Sequence, residues 1–98
     1  MRRSMFEMYI DLLKVLAQRG PLKLTHIMYK ANVNQSVLKE HLGFLIQHGL
    51  VEEKALGKDR VVYVVTEKGL KALKHVRELE ILIPVKLDNG ARIPSSLY

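Results

Sequence analysis

The sequence predicts a mostly helical α+β domain whose elements follow the order helix, helix, turn, helix, β-hairpin, helix. Three observations support this prediction. Apolar residues recur at spacings of three and four over the first half of the chain, which is the period of an amphipathic helix. A β-branched run fills residues 60–66, and helical spacing returns after it. With 98 residues, of which 48% are hydrophobic, the chain can bury one modest core, so a single domain is expected.

Two helices are predicted before the central turn. The first begins at residue 3 or 4 and ends at Gly20-Pro21, because proline and glycine interrupt the helical pattern there. The second is short, with Ile27 and Ala31 on its apolar side, and stops near Asn32. The segment 32–34 then has the composition of a tight turn.

The third helix is predicted from residue 35 to residue 48. Asn34 precedes it and suits an N-cap, because its side-chain oxygen can accept a bond from a backbone N–H two or three residues on. Its core stripe is formed by Leu38, Leu42, Leu45 and Ile46. His41 lies on the flank of that stripe and is interpreted as a packing residue. Gly49 is the expected left-handed stop.

A β-hairpin and a fourth helix complete the prediction. Residues 50–56 and 60–66 are expected to pair, with Gly57-Lys58-Asp59 at the tip. Thr66 can cap a helix that runs from about residue 67 to residue 82. Pro84 cannot continue that helix, because it lacks the backbone N–H.

Charge favours an anionic partner, and the motifs exclude common enzyme classes. There are 16 basic and 10 acidic residues, which gives a net charge of +6. The chain has no cysteine, and its four histidines lack the spacing of metal ligands. It also has no Gly-rich phosphate loop, nucleophile-elbow serine or HExxH pattern. We therefore predict a protein that is not an enzyme and needs no cofactor or metal.

The order of elements is the layout of a winged helix-turn-helix, in which the hairpin is the wing. Residues 27–32 (IMYKAN) and 63–69 (YVVTEKG) closely resemble the small basic archaeal winged-helix proteins, a group that includes crenarchaeal chromatin proteins and archaeal transcription regulators. The resemblance covers roughly residues 4–80. It implies binding of duplex DNA as a homodimer, with the third helix in the major groove and the wing beside it. Residues 85–98 have no counterpart in the group.

Candidate DNA-binding residues follow from the face of the third helix that is left outside the core stripe. That face carries Gln35, Ser36, Lys39 and Gly43. Gln35 can pair with adenine, Ser36 can reach a phosphate or several bases, and Lys39 can neutralise phosphate. Gly43 either permits close approach of the backbone or is simply tolerated.

The wing and the second helix supply further candidates. Lys58 and Arg60 at the hairpin are expected to reach the DNA backbone or the minor groove that flanks the site. Thr25 and Lys30 on the second helix are possible phosphate contacts, although surface exposure alone also explains them.

The fourth helix carries a candidate dimerisation seam. Its members recur at spacings of four, three and four and are Ala72, Val76, Leu79 and Ile83. This seam is separate from Leu70 and Leu73, which are expected to pack onto the domain. The alternative is one broad stripe that faces the chain's own core.

We expect the domain to span residues 1–82, followed by a tail over residues 83–98. Asp88-Asn89-Gly90 in the tail is a strong turn signal. Three alternatives stay open for the tail: a small hairpin, a cover over the dimer seam, or a flexible segment. The longest uninterrupted apolar run is too short to cross a bilayer, and we expect a cytoplasmic, nucleoid-associated protein without a membrane partner.

Three functions are compatible with these features. The first is a homodimeric transcription regulator that reads duplex DNA sequence, with residues 35–48 in the major groove and the wing, residues 54–60, alongside. The second is a chromatin-type protein that binds DNA without sequence preference. The third is a winged-helix module for protein interaction whose basic charge is incidental.

Overall fold

The computed structural model describes residues 4–83, and the tail from residue 84 onward lies outside the described residues. The elements are α1 (Met5–Arg19), α2 (Leu24–Ala31), α3 (Gln35–Gln47), β1 (Val51–Ala55), β2 (Val61–Val65) and α4 (Glu67–Leu82). This order confirms the predicted fold class: three helices, a two-stranded antiparallel hairpin and a C-terminal helix. Each predicted boundary agrees with the observed one within about two residues.

Local side-chain bonds explain where the helices begin. At α1, the Ser4 hydroxyl accepts from the Glu7 backbone N–H at 3.1 Å, and the Glu7 carboxylate accepts from the Ser4 N–H at 3.0 Å. This reciprocal capping box satisfies two backbone donors that the helix leaves unpaired. At α3, Asn34 accepts from the Val37 N–H at 2.9 Å, as its position predicts.

The core lies where α1, α2 and α3 meet the base of the hairpin. Its fully buried side chains are Leu12, Leu13, Leu16, Ile27, Leu38, Leu42, Leu45 and Val51. Each such side chain contributes about 1.5–3 kcal/mol when it is removed from water. Because the leucines of α3 are buried in this core, the opposite face of α3 points toward solvent.

The hairpin is tied to the rest of the domain by a third extended segment. Strands β1 and β2 pair in antiparallel register from Val51 opposite Val65 to Ala55 opposite Val61. Leu22, after α1, exchanges both backbone bonds with Tyr63 on the outer side of β2, at 2.8 and 3.2 Å. Sequence periodicity does not reveal this segment, because a single bridging residue has no pattern of its own.

The start of α4 is locked onto the end of α3. The Thr66 hydroxyl donates to the Gly49 carbonyl oxygen at 2.6 Å and accepts from the Gly69 N–H at 3.1 Å. Lys68 donates through Nζ to the His48 carbonyl oxygen at 2.7 Å. A Cβ at Gly69 would overlap the carbonyl oxygen of Leu50 and lie 2.6 Å from Cγ2 of Val65. The TEKG motif therefore holds α4, the wing and the end of α3 in one arrangement.

The apolar residues of α4 that face the core are not all the ones that the sequence predicts. Ala72 and Leu73 pack against the core, and Val76 is buried. Leu70 was predicted to pack onto the domain, and this prediction is wrong: the side chain is 48% exposed. Leu70 lies instead at an open cleft between α1 and α4, outside the buried contact that Ala72, Leu73 and Val76 form. No helix within residues 4–83 is long and apolar enough to span a membrane.

Candidate nucleic-acid interface

The turn between α2 and α3 sets the direction in which α3 leaves the domain. Asn32 closes α2 in the left-handed conformation, with φ 56° and ψ 50°, and its N–H donates to the Met28 carbonyl oxygen at 2.9 Å. Asparagine tolerates this conformation better than most residues that carry a Cβ. Two residues later Asn34 caps α3, so the two helices meet through a turn of three residues.

The outward face of α3 carries all four residues predicted for it. Gln35, Ser36, Lys39 and Gly43 are exposed. At Gly43, an added Cβ would meet no atom within 4 Å among residues 4–83, apart from its chain neighbours and the backbone of its own helix, so the position lies on open surface. The face offers an amide, a hydroxyl, a cation and a stretch of bare backbone, which are groups able to bond base edges and phosphates.

The wing stands beside this face, with its two basic residues exposed. Lys58 and Arg60 lie at the turn between β1 and β2, where Gly57 takes φ 108° and the Leu56 N–H donates to the Arg60 carbonyl oxygen at 2.7 Å. Neither basic side chain faces the core.

The strands below the tip are braced by a pair of side chains. The Tyr63 hydroxyl donates to Glu53 at 3.2 Å across the hairpin. Burial raises the pKa of Tyr63 above 10.0, and the hydrogen bond to Glu53 and the negative charge of Glu53 raise it further. The carboxylate of Glu53 is therefore engaged within the wing.

Helix α2 presents the two predicted residues and one that sequence reasoning missed. Thr25 and Lys30 are exposed, as expected of possible phosphate contacts. Tyr29, one helical turn after Thr25, is 87% exposed. The signal that could have identified it is its position outside the apolar stripe of α2, since a tyrosine there has no core to enter.

The basic residues of the candidate interface have no partner within the described part of the chain. Lys30, Lys39, Lys58 and Arg60 form no ion pair and no side-chain hydrogen bond among residues 4–83. Their charges are therefore available to an external anion. Lys68 differs, because its ammonium group is bound to the end of α3.

His41 is a packing residue, as the sequence indicated. It is 8% exposed, and its ring meets Tyr9 edge-on at a centroid distance of 5.1 Å. Tyr9 in turn stacks on Phe44 at 4.6 Å with the rings nearly parallel, and Phe44 contacts His48 at 4.4 Å. This aromatic stack joins α1 to the side of α3 that faces away from the predicted DNA contacts.

A wide apolar groove opens beside the aromatic stack. It has a volume of about 630 Å³ and lies between α1, α3 and α4. Met5 and Phe6 of α1, Phe44 of α3 and Leu79 of α4 line it, and each is between 40% and 63% exposed. The sequence pointed to Leu79 but missed the share of α1, because Met5 and Phe6 look like the first turn of an ordinary core helix.

Within residues 4–83, no group of histidines and carboxylates is placed to hold a metal ion. What the described chain brings together is a projecting helix face, a basic wing and a capped turn between two helices. This arrangement defines the class of winged helix-turn-helix domains. The family model for the winged helix-turn-helix matches residues 2–83, and the chain belongs to that family.

Solved structures show the same fold. The DNA-binding protein Sso10a-2 from Sulfolobus solfataricus is 29% identical and superposes with a TM-score of 0.67, covering 83% of this chain and 81% of that one. This likeness confirms the resemblance to archaeal winged-helix proteins. A MarR-family transcriptional regulator from Silicibacter pomeroyi is 23% identical, with a TM-score of 0.64 over 74% of this chain. The chain spans about half of that regulator, 49%, and the likeness shows the fold alone.

A relative is also found among curated sequences. An uncharacterized protein of Methanocaldococcus jannaschii is 30% identical over 78 residues, which are 80% of this chain and 74% of the relative.

Proposed function

We propose that this protein binds duplex DNA and reads its sequence as a homodimeric transcription regulator of the cytoplasm, associated with the nucleoid. Helix α3 enters the major groove with Gln35, Ser36, Lys39 and Gly43 toward the DNA. The wing places Lys58 and Arg60 on the flanking backbone or in the minor groove, and Thr25 and Lys30 approach phosphates from α2. The observation that carries the proposal is the exposed face of α3 beside cations that have no partner among the described residues.

The similarity to Sso10a-2, which is described as a DNA-binding protein, supports the proposal independently. Electrostatics supports it as well, since a chain with a charge of +6 is attracted to a polyanion over a distance of about 10 Å at moderate salt. Positive charge alone gives affinity for any duplex, whereas preference for one DNA sequence over another requires contacts to the bases. Gln35 and Ser36 are the residues that favour the regulator, because an amide and a hydroxyl can bond base edges in the major groove.

Homodimerisation is the second part of the proposal, and a second copy of this chain is the occupant we assign to the apolar groove. Leu79 and Ile83 of the predicted seam are 46% and 56% exposed, and Ile81 and Leu82 beside them are 74% and 78% exposed. This exposed end of α4 meets the groove at Leu79, so each copy offers both an apolar cleft and an apolar helix end. A two-fold pair can bury both at once, which matches the isologous contact of most dimers.

The test of the DNA proposal is a titration of labelled duplex at several salt concentrations, followed by selection of bound sequences from a random pool. A regulator binds a recovered site about a thousandfold or more tightly than random duplex. Equal affinity for all sequences with a steep salt dependence would replace the regulator with a chromatin-type protein. Absence of binding at low salt would leave the protein-interaction module.

A further inference from the structure

The hydrogen bonds at the start of α3 show which of two side chains, Asn34 or Ser36, is the donor in the bond between them. Asn34 Oδ1 accepts from the Val37 backbone N–H at 2.9 Å and lies 3.0 Å from Ser36 Oγ. A backbone N–H only donates, so the Asn34 atom that meets it is the amide oxygen and not the amide nitrogen. An amide oxygen only accepts, so the Ser36 hydroxyl is the donor in the second bond.

The assignment limits what Ser36 offers to DNA. A serine hydroxyl has one proton and two lone pairs, and the proton is held by Asn34. Phosphate oxygens are acceptors, so a bond from Ser36 to phosphate requires the Asn34 bond to break. The exocyclic amino groups that adenine and cytosine show in the major groove are donors, and they meet a free lone pair of Ser36 without any rearrangement.

We propose that Ser36 recognises an amino-bearing base, adenine or cytosine, as a hydrogen-bond acceptor, and that Asn34 is the positioning residue that keeps the hydroxyl in this state. The proposal rests on the proposed DNA-binding function and deepens it. It separates three neighbours on one face: Ser36 accepts from a base, Gln35 both donates and accepts, and Lys39 neutralises phosphate.

The experiment uses the full chain and the duplex recovered by the selection. Each adenine of the site is replaced in turn by purine, and each cytosine by pyrimidin-2-one, which removes the major-groove amino group together with its Watson–Crick hydrogen bond. The weakened base pair is the same for every protein variant, so the difference between wild type and Ser36→Ala isolates the contact to the amino group. Affinity of the wild type should fall about fivefold at one position, the equivalent of one hydrogen bond of about 1 kcal/mol. Ser36→Ala should lose affinity for the natural duplex and show no further loss with the analogue at that position.

Two variants of Asn34 test its positioning role. Asn34→Asp keeps an oxygen acceptor at the cap, so the sensitivity to the analogue should be retained. Asn34→Gly keeps a tolerated N-cap and releases the Ser36 proton, so the sensitivity should fall while thermal stability changes little. A purely structural role of Asn34 would change stability without changing base preference.

Three results would overturn the inference. If Ser36→Ala weakens binding to every duplex equally, Ser36 is a phosphate donor. If the variant still loses affinity with each analogue as the wild type does, Ser36 contacts no amino group. Both leave the DNA-binding function in place, whereas a wild-type chain that binds no duplex at all removes the function and this inference together.

Discussion

At the scale of single residues, we propose two kinds of DNA contact for the outward face of α3, and the two have different signatures. A cation on phosphate contributes equally to every sequence and releases counterions, whereas an amide on a base edge contributes to one sequence and hardly depends on salt. Lys39 and Gln35 are four residues apart on the same face, so their variants compare the two contacts at one site.

Lys39→Ala should weaken binding to all duplexes by a similar factor and reduce the slope of log affinity against log salt by about 1. The measurement is a duplex titration at four or more salt concentrations. Lys71→Ala removes the same charge from the exposed surface of α4 and is the control. If both variants change the slope equally, the effect comes from net charge and not from a contact of Lys39.

Gln35→Ala should change base preference at one position of the site, at a cost of about 1–3 kcal/mol for the adenine that the amide pairs with. Selection from a random pool with the variant measures the change. Gln47→Ala, at the exposed last residue of α3, is the matched control, because it lies three turns from the leading end of the helix. An unchanged preference in the Gln35 variant would show that this side chain is not a reader.

At the scale of elements, two glycines in helices have opposite surroundings. Gly69 lies where α4 touches the turn after α3, and a Cβ there would overlap the Leu50 carbonyl oxygen. Gly43 lies in the interior of α3 with open space around it. A backbone atom cannot move aside as a flexible side chain can, so only Gly69 is required by packing.

We expect Gly69→Ala to destabilise the fold by about 1–3 kcal/mol, as forced overpacking does. Gly43→Ala should instead stabilise it by up to about 1 kcal/mol, because alanine favours a helix interior over glycine. Urea unfolding of both variants gives the two values. Gly43→Ala should also weaken DNA binding if the bare backbone allows close approach to the duplex; unchanged binding would mean that glycine is only tolerated there.

The hairpin has a pH dependence whose sign follows from the Tyr63 phenol. Because its pKa is raised in the fold, the folded state holds this proton more tightly than the unfolded state does. The resulting stability is fully present below pH 10.0, the ordinary pKa of tyrosine, and is lost as the pH rises through the raised value.

The difference in unfolding free energy between the wild type and Tyr63→Phe should therefore be constant at neutral pH and change above about pH 10. Comparison of the two chains cancels the titration of lysines and of the other tyrosines. Denaturant unfolding over that pH range is the measurement. A difference that stays flat to the end of the range would contradict the raised pKa of Tyr63.

At the scale of the whole molecule, one domain offers one α3, and a dimer offers two. Linking two weak half-site contacts raises affinity by about 100-fold or more, provided that the spacing of the two helices fits the duplex. In the proposed homodimer, the apolar groove and the end of α4 would connect assembly to DNA binding. The bonds of Thr66 and Lys68 and the close packing of Gly69 hold the start of α4 against the end of α3.

Leu79→Glu should convert the protein to monomers and weaken binding to a two-half-site duplex by about 100-fold. A charge at this site has to be buried without a partner in the dimer. Analytical ultracentrifugation measures the assembly, and the duplex titration measures the affinity.

Leu70→Glu is a close control for this variant. Leu70 belongs to the same helix, is 48% exposed against 46% for Leu79, and lies nine residues earlier, which is two and a half turns and hence the opposite side of α4. It should leave both properties unchanged. A monomeric wild type, or equal dissociation by the two variants, would exclude the groove as the dimer contact.

Interactions between residues close together in the sequence explain where the helices and strands form and where they end. Asn34 and Thr66 cap helices because short polar side chains reach the nearest free N–H groups, and Gly49 ends the third helix with φ 74°. Apolar residues at spacings of three and four also predicted that Leu38 and Leu42 lie in the core, as they do, and that the opposite face of α3 is exposed. These features depend on neighbours within four residues, which the sequence displays directly.

Contacts between residues that are far apart in the chain depend on how the elements pack in three dimensions. The pairing of Leu22 with Tyr63, the exposure of Leu70 and the groove that begins at Met5 and Phe6 depend on which helix faces which neighbour. A periodic pattern marks an apolar side of α4 but not the part of it that its own domain covers. Local residue patterns are therefore enough to predict the helices, the hairpin and the outward face of α3, whereas packing in three dimensions controls which apolar surface remains for a partner.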